Sequence, residues 1–216
     1  YEIGVRLVGS EMCIRDRLLL MLLFLTVNLK ISAKNIKDIW TTMPDSMIVY
    51  MDKKARMECI DLIEKGMTPE ITNRLGGKTR IDTITSDFIS ATLSEASNIQ
   101  IKLLPAFNDT IICYIHTYKG PLPESSIALY TQKWNKISEI KFSIEKFLNK
   151  PDSIEQSEFE NIKLMMDPYL ITANMSPDSE EISVSASVAN VTDEEQDKIN
   201  AILVQRKFKW NGNSFN

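Results

Sequence analysis

Tyr114, His116 and Tyr118 stand at alternate positions in a run that reads as a strand. Alternation puts the three side chains on one face. Tyr130, on the next strand, is placed to join them. A flat face of rings stacks against a sugar or a peptide, and its hydroxyls hydrogen-bond. The same alternation also fits a face that packs under helices, with Ile111, Cys113 and Ile115 buried on the other side. Both readings stand on sequence alone. His116 is the one histidine of the chain. A zinc site, or a serine–histidine nucleophile system, needs more partners than this sequence announces. No metal, cofactor or catalytic residue is therefore expected.

Two pairs of carboxylates lie close along the chain, Asp61 with Glu64 and Asp82 with Asp87. A glycosidase sets two carboxylates at a fixed separation across a cleft. This keeps a cell-envelope or glycan hydrolase as the alternative function, although proximity in sequence does not supply that separation. Gly77-Lys78-Thr79 invites a phosphate-loop reading. That motif needs glycine at position 72, which is Thr72, and a helix after it, where Arg80–Ile84 alternates like a strand. A glycine turn between elements is the better reading. Cys59 lies in a helical pattern and Cys113 in a strand pattern. In an exported protein the two can form one disulfide; the alternative is a pair of buried free thiols acting as small apolar side chains.

The elements that must position these residues are legible from periodicity. Ile36, Ile39, Trp40 and Met43 recur at helical spacing up to Met43-Pro44. Asp52 caps a second helix with an inner face of Ala55, Met57, Cys59, Ile60 and Ile63, closed by Gly66. Pro69 starts a short third turn that stops at Gly76-Gly77. The period then switches to two. Arg80–Ile84, Phe88–Leu93, Ile99–Leu103, Thr110–Tyr118 and Ser126–Thr131 read as strands, with Asn108-Asp109 as a turn. The connections are too short for parallel crossovers, so the strands form an antiparallel meander. Ile140, Ile144, Phe147 and Leu148 suggest a partly helical middle segment. Ser157-x-x-Glu160 and Thr192-x-x-Glu195 read as capping boxes. Tyr169–Met175 and Glu181–Val188 make a second hairpin, and Val204–Trp210 a last strand. The fold class is α+β, with N-terminal helices packed on antiparallel meander sheets and a late strand–helix–strand unit.

The ten-residue stretch Leu18–Val27 is apolar apart from Thr26, and Ile31-Ser32-Ala33 follows it. This reads as a signal peptide over 18–33, cut after Ala33. The run is short of the roughly 20 apolar residues that a spanning helix needs, so no stable membrane span is expected after cleavage. Residues 1–17, through Val8–Arg17, resemble translated sequencing adapter and stand outside the fold argument. One α+β domain is expected over 34–216. The net charge of −4 argues against nucleic acid, which a basic face must neutralise.

Met43-Pro44-Asp45-Ser46, Leu75-Gly76-Gly77-Lys78, Leu93-Ser94-Glu95-Ala96-Ser97, Lys102-Leu103-Leu104-Pro105, His116-Thr117-Tyr118 and Asp167-Pro168-Tyr169-Leu170 together resemble an exported family of Bacteroidales-type bacteria, catalogued as a domain of unknown function. The resemblance spans nearly all of 34–216. It implies a periplasmic or secreted address and brings no catalytic residues. Asp45-Ser46-Met47, Asp82-Thr83-Ile84, Asp109-Thr110-Ile111 and Asp152-Ser153-Ile154 resemble the O-glycosylation signal that such bacteria place on exported proteins. Composition alone gives about one match, so Ser46, Thr83, Thr110 and Ser153 are candidate sites. Asp-Ser and Asp-Thr also favour turns and caps. The expected function is binding or scaffolding without catalysis, with a glycan, a peptide or an envelope protein as partner.

Overall fold

Asn35 opens the first helix. Its side chain accepts from the Asp38 amide at 2.9 Å, and α1 (Ile36–Thr42) ends at Met43, before Pro44. A 3-10 turn follows at Asp45–Met47. Asp52 caps α2 (Lys53–Glu64) by accepting from the Ala55 amide. Gly66 closes it with φ +69°, a conformation that costs glycine little. The chain is seen here in a computed structural model that describes residues 34–107 and 109–216. The expected leader 1–17, the expected signal peptide 18–33 and Asn108 of the expected turn lie outside the described residues. Lys34–Asn216 forms one compact unit.

The inner face of α2 differs from the periodic expectation. Arg56 is buried with Cys59 and Ile60, while Met57 is half exposed. Arg56 earns its buried place by serving backbone oxygens. Its guanidinium donates to the carbonyls of Trp40 (3.1 Å), Met51 (3.1 Å) and Met43, and pairs with Asp45 at 2.8 Å. A planar fork of donors can satisfy several carbonyls at once, which a methionine cannot.

Seven strands then make one antiparallel meander in strict chain order: β1 (Glu70–Thr72), β2 (Lys78–Ile84), β3 (Phe88–Ser94), β4 (Ser97–Ala106), β5 (Asp109–Lys119), β6 (Pro123–Thr131) and β7 (Lys136–Glu139). The third helical turn expected at Pro69 is instead strand β1. Its three residues pair with β2, and propensity yields to that pairing. Strand β7 was not expected either, since all four of its residues are exposed and carry no alternation. Of the expected middle helix only a 3-10 turn at Ile144–Phe147 forms.

The sheet is buried on both faces, which positions everything else. One face carries Ile99, Ile101, Leu103, Ile112 and Tyr114 beneath Ile36, Ile39 and Trp40 of α1 and Cys59 and Ile60 of α2. The opposite face carries Leu104, Cys113, Ile115, Ile127 and Leu129. It packs on a second antiparallel sheet of order β10 (Arg206–Lys209), β9 (Glu181–Val188) and β8 (Tyr169–Met175). Lys102, only 2% exposed, bridges these layers through Asp87 at 2.9 Å and the Pro177 carbonyl at 2.8 Å. Helices α3 (Gln156–Leu164) and α4 (Asp193–Ile202) share a smaller cluster with Val188. The Thr192/Glu195 capping box forms at α4. The Ser157/Glu160 box does not: α3 begins at Gln156 after Glu155, so Ser157 lies inside the helix. Among the described residues the architecture is α+β, with N-terminal helices on the meander and β9–α4–β10 as the late unit.

Candidate binding site

Pairing between β5 and β6 sets the site. Tyr118 faces Glu124, His116 faces Ser126, Tyr114 faces Ala128 and Ile112 faces Tyr130. Directly paired residues share a face, so on this face the row Tyr118, His116, Tyr114 and Ile112 of β5 lies beside Glu124, Ser126, Ala128 and Tyr130 of β6. The helices cover only part of it.

Tyr114 lies under them and is 6% exposed. Its hydroxyl donates to the Met47 carbonyl at 3.5 Å, and its ring meets Tyr130 and Trp134 edge-on, each at 6.1 Å. Burial, together with the nearby Tyr130 and Tyr118, pushes its phenol pKa up. The expected platform therefore divides. Tyr114 belongs to the core, with half-buried Tyr130 packed against it. His116 and Tyr118 stand past the helices. Their rings lie 4.3 Å apart at 31°, and Tyr118 is 55% exposed. Ser126 and Glu124 beside them are exposed.

Sequence reading missed Ser97. Its buried hydroxyl shares a 2.7 Å hydrogen bond with His116 Nε2. This fixes the imidazole, and burial lowers its pKa, so the neutral ring is favoured. No carboxylate hydrogen-bonds His116 among the described residues, so the third member of a triad is missing. Ser97 sits two positions before Ile99 on the alternating face, which was readable; its meeting with His116 depends on the β4–β5 register, which was not.

A cleft of about 480 Å³ opens at the edge of β6 next to this row. Tyr114, Ser126, Ala128 and Tyr130 line one side, and Phe142, Tyr169 and Ile171 the other. Glu124, Lys136, Glu139 and Lys141 stand around it. Lys136 and Glu139 pair with each other.

The remaining candidates are placed as follows. Glu64 is tied to Lys37 at 2.8 Å, which holds its carboxyl below the ordinary value. Asp61 is exposed on the same helix. Asp82 takes Arg80 and the Thr92 hydroxyl, each at 2.7 Å, and Asp87 takes Lys102. Glu64, Asp82 and Asp87 are each held by a local partner, and neither pair is set across a cleft. The Gly77-Lys78-Thr79 turn runs directly into β2. Asn73 Oδ1 accepts from the Leu75 and Gly77 amides, and Thr79 donates to the Leu93 carbonyl at 2.7 Å. Cys59 and Cys113 are free and buried in different core clusters, Cys59 on the helix side of the sheet and Cys113 on the other. The disulfide weighed for them is not formed, because the sheet lies between. Ser46, Thr83 and Ser153 are exposed and Thr110 is half-buried. No group of three metal-ligating side chains gathers among the described residues, and none of their helices is long and apolar enough to cross a membrane.

The family described as "Protein of unknown function (DUF3256)" matches residues 28–215. A solved structure described as a domain of an uncharacterized protein from Porphyromonas gingivalis W83 is similar, with a TM-score of 0.70 and 21% identity, covering 84% of this chain and 98% of that one. At that identity the likeness concerns the fold. No curated protein matches the chain.

Proposed function

The chain belongs to the DUF3256 family of proteins of unknown function, and from that premise we propose that it is an exported binding protein, not a catalyst. The single observation that carries this reading is the His116–Tyr118 ring pair. It stands outside the helix cover, fixed by Ser97, one strand in from the β6 cleft, which its cross-strand partners Ser126 and Glu124 line. Half-exposed aromatic rings locked in place offer contact area at little entropic cost. The apolar run Leu18–Val27 and the small residue Ala33 support a periplasmic or secreted address. Exposed Ser46, Thr83 and Ser153 are the sites at which O-glycosylation would sit; Thr110 is less open.

The test is a thermal-shift screen of envelope glycans and short peptides against the wild type and a His116→Ala/Tyr118→Ala variant. At least one ligand stabilises the wild type, and the variant loses that response while still folding, its unliganded stability lower by ~1–3 kcal/mol because the buried Ser97 hydroxyl loses its partner. A ligand response that survives the double substitution overturns the site. Tyr114 is left intact because its replacement disturbs the core.

A further inference from the structure

We propose that the ligand of this cleft is a short extended peptide with free termini, adding as a strand to the open end of β6. The inference rests on the reading above that this face binds a ligand.

Backbone direction carries it. In an antiparallel pair, alternate residues turn both amide and carbonyl towards the same neighbour. Lys119 donates to Ala96, on the β4 side, so Tyr118, His116 and Tyr114 turn towards β6. Their partners Glu124, Ser126 and Ala128 turn back to β5, which leaves Ser125 and Ile127 facing outward. Strand β7 covers β6 only at Tyr130, Leu129 and Ala128. The Ile140 amide makes the last contact, 2.9 Å from the Ile127 carbonyl. Phe142 then turns into the core and draws the chain off the edge. Past that point no strand among the described residues pairs with the outward amide and carbonyl of Ser125; β8 reaches only the groups beside them, Thr172 Oγ1 donating to the Pro123 carbonyl at 2.9 Å and the Ala173 amide to Ser125 Oγ at 3.0 Å. A sheet edge with unmet donors and acceptors is a template for another strand, and here it opens into the cleft.

Charge selects the occupant and its direction. Glu124 stands at the start of the open stretch and Lys141 where β7 departs. Both line the cleft; Glu124 makes no ion pair among the described residues, and Lys141 lies near enough to Glu139 to help lower its carboxyl. A peptide parallel to β6 sets its ammonium by Glu124 and its carboxylate by Lys141; the antiparallel direction sets like charges together. The open stretch of three residues spans roughly 10 Å at ~3.3 Å per residue, the length of a tripeptide. Alternate side chains would meet Ser126 on one face and Ile171 on the other.

The experiment follows the amide resonances of the ¹⁵N-labelled protein with trialanine and trileucine, free, N-acetylated or C-amidated. Free peptide shifts the Ser125 and Ile127 amides, and capping either terminus weakens binding about fivefold, one lost surface-type ion pair. Glu124→Gln removes the penalty of acetylation alone, and Lys141→Met that of amidation alone. Capped peptides binding as well as free ones, or no shift with any peptide, overturns the inference. If glycans bind through His116 and Tyr118 while peptides do not, the site stands and the peptide falls. If peptides shift Ser125 in the His116→Ala/Tyr118→Ala variant with full affinity, strand addition stands and the ring site falls.

Discussion

The Ser97 hydroxyl and the His116 imidazole, on adjacent strands, share a hydrogen bond of 2.7 Å at the border between covered and open sheet. It pins a ring that would otherwise rotate beside Tyr118.

Burial holds the His116 pKa below its ordinary 6.5. Below about pH 6.5 the unfolded chain therefore takes up this proton before the folded one does. The contribution to stability is whole above that pH and is lost as pH falls through the lower folded value. Urea unfolding from pH 8 to 4 tests this: the wild type loses stability relative to His116→Gln across that window. The single histidine also gives one imidazole resonance, whose midpoint lies below 6.5.

Tyr114 and Tyr118 share a strand face and differ in cover. Tyr114→Ala is expected to cost ~3 kcal/mol or more, as for other large buried aromatics. Tyr118→Ala stays within ~0.5 kcal/mol while weakening the ligand. Equal losses in chemical denaturation would contradict the division of the row.

Arg56→Met leaves the carbonyls of Trp40, Met43 and Met51 without their donor inside the helix layer. Breaking such a buried set costs ~3 kcal/mol or more. Asp45→Asn, at a half-exposed partner, costs less. Paired denaturation curves rank the two.

Desolvation pushes the Cys59 thiol up to about 11 and Cys113 to about 12. Thiolate is the reactive form, so both resist Ellman's reagent in the native protein and react on unfolding. Reductant leaves Tm unchanged. A fall in Tm with dithiothreitol would show that the two are joined.

Intact mass of the protein secreted by a native host checks the modification sites. Glycan mass is expected, and its loss on Ser46→Ala, Thr83→Ala or Ser153→Ala assigns them. An unmodified mass removes this part of the proposal.

Much of this fold was written locally. Asn35 and Asp52 stand where their side chains cap helices, Gly66 where φ must be positive, and the alternation of Ile99, Ile101 and Leu103 marks a buried strand face. Caps, breakers and periodicity act within a few residues, so the sequence determined helices, strands, meander order and α+β class. Tertiary structure decided the rest, because it depends on register and on what covers each face. Strand β1 forms by pairing with β2, and Arg56 is buried because the carbonyls of Trp40, Met43 and Met51, from separate turns of the chain, converge on it. Tyr114 and Tyr118 look equivalent in sequence, four residues apart on one face. Only the reach of α1 and α2 over the sheet makes one of them core and leaves the other open to solvent.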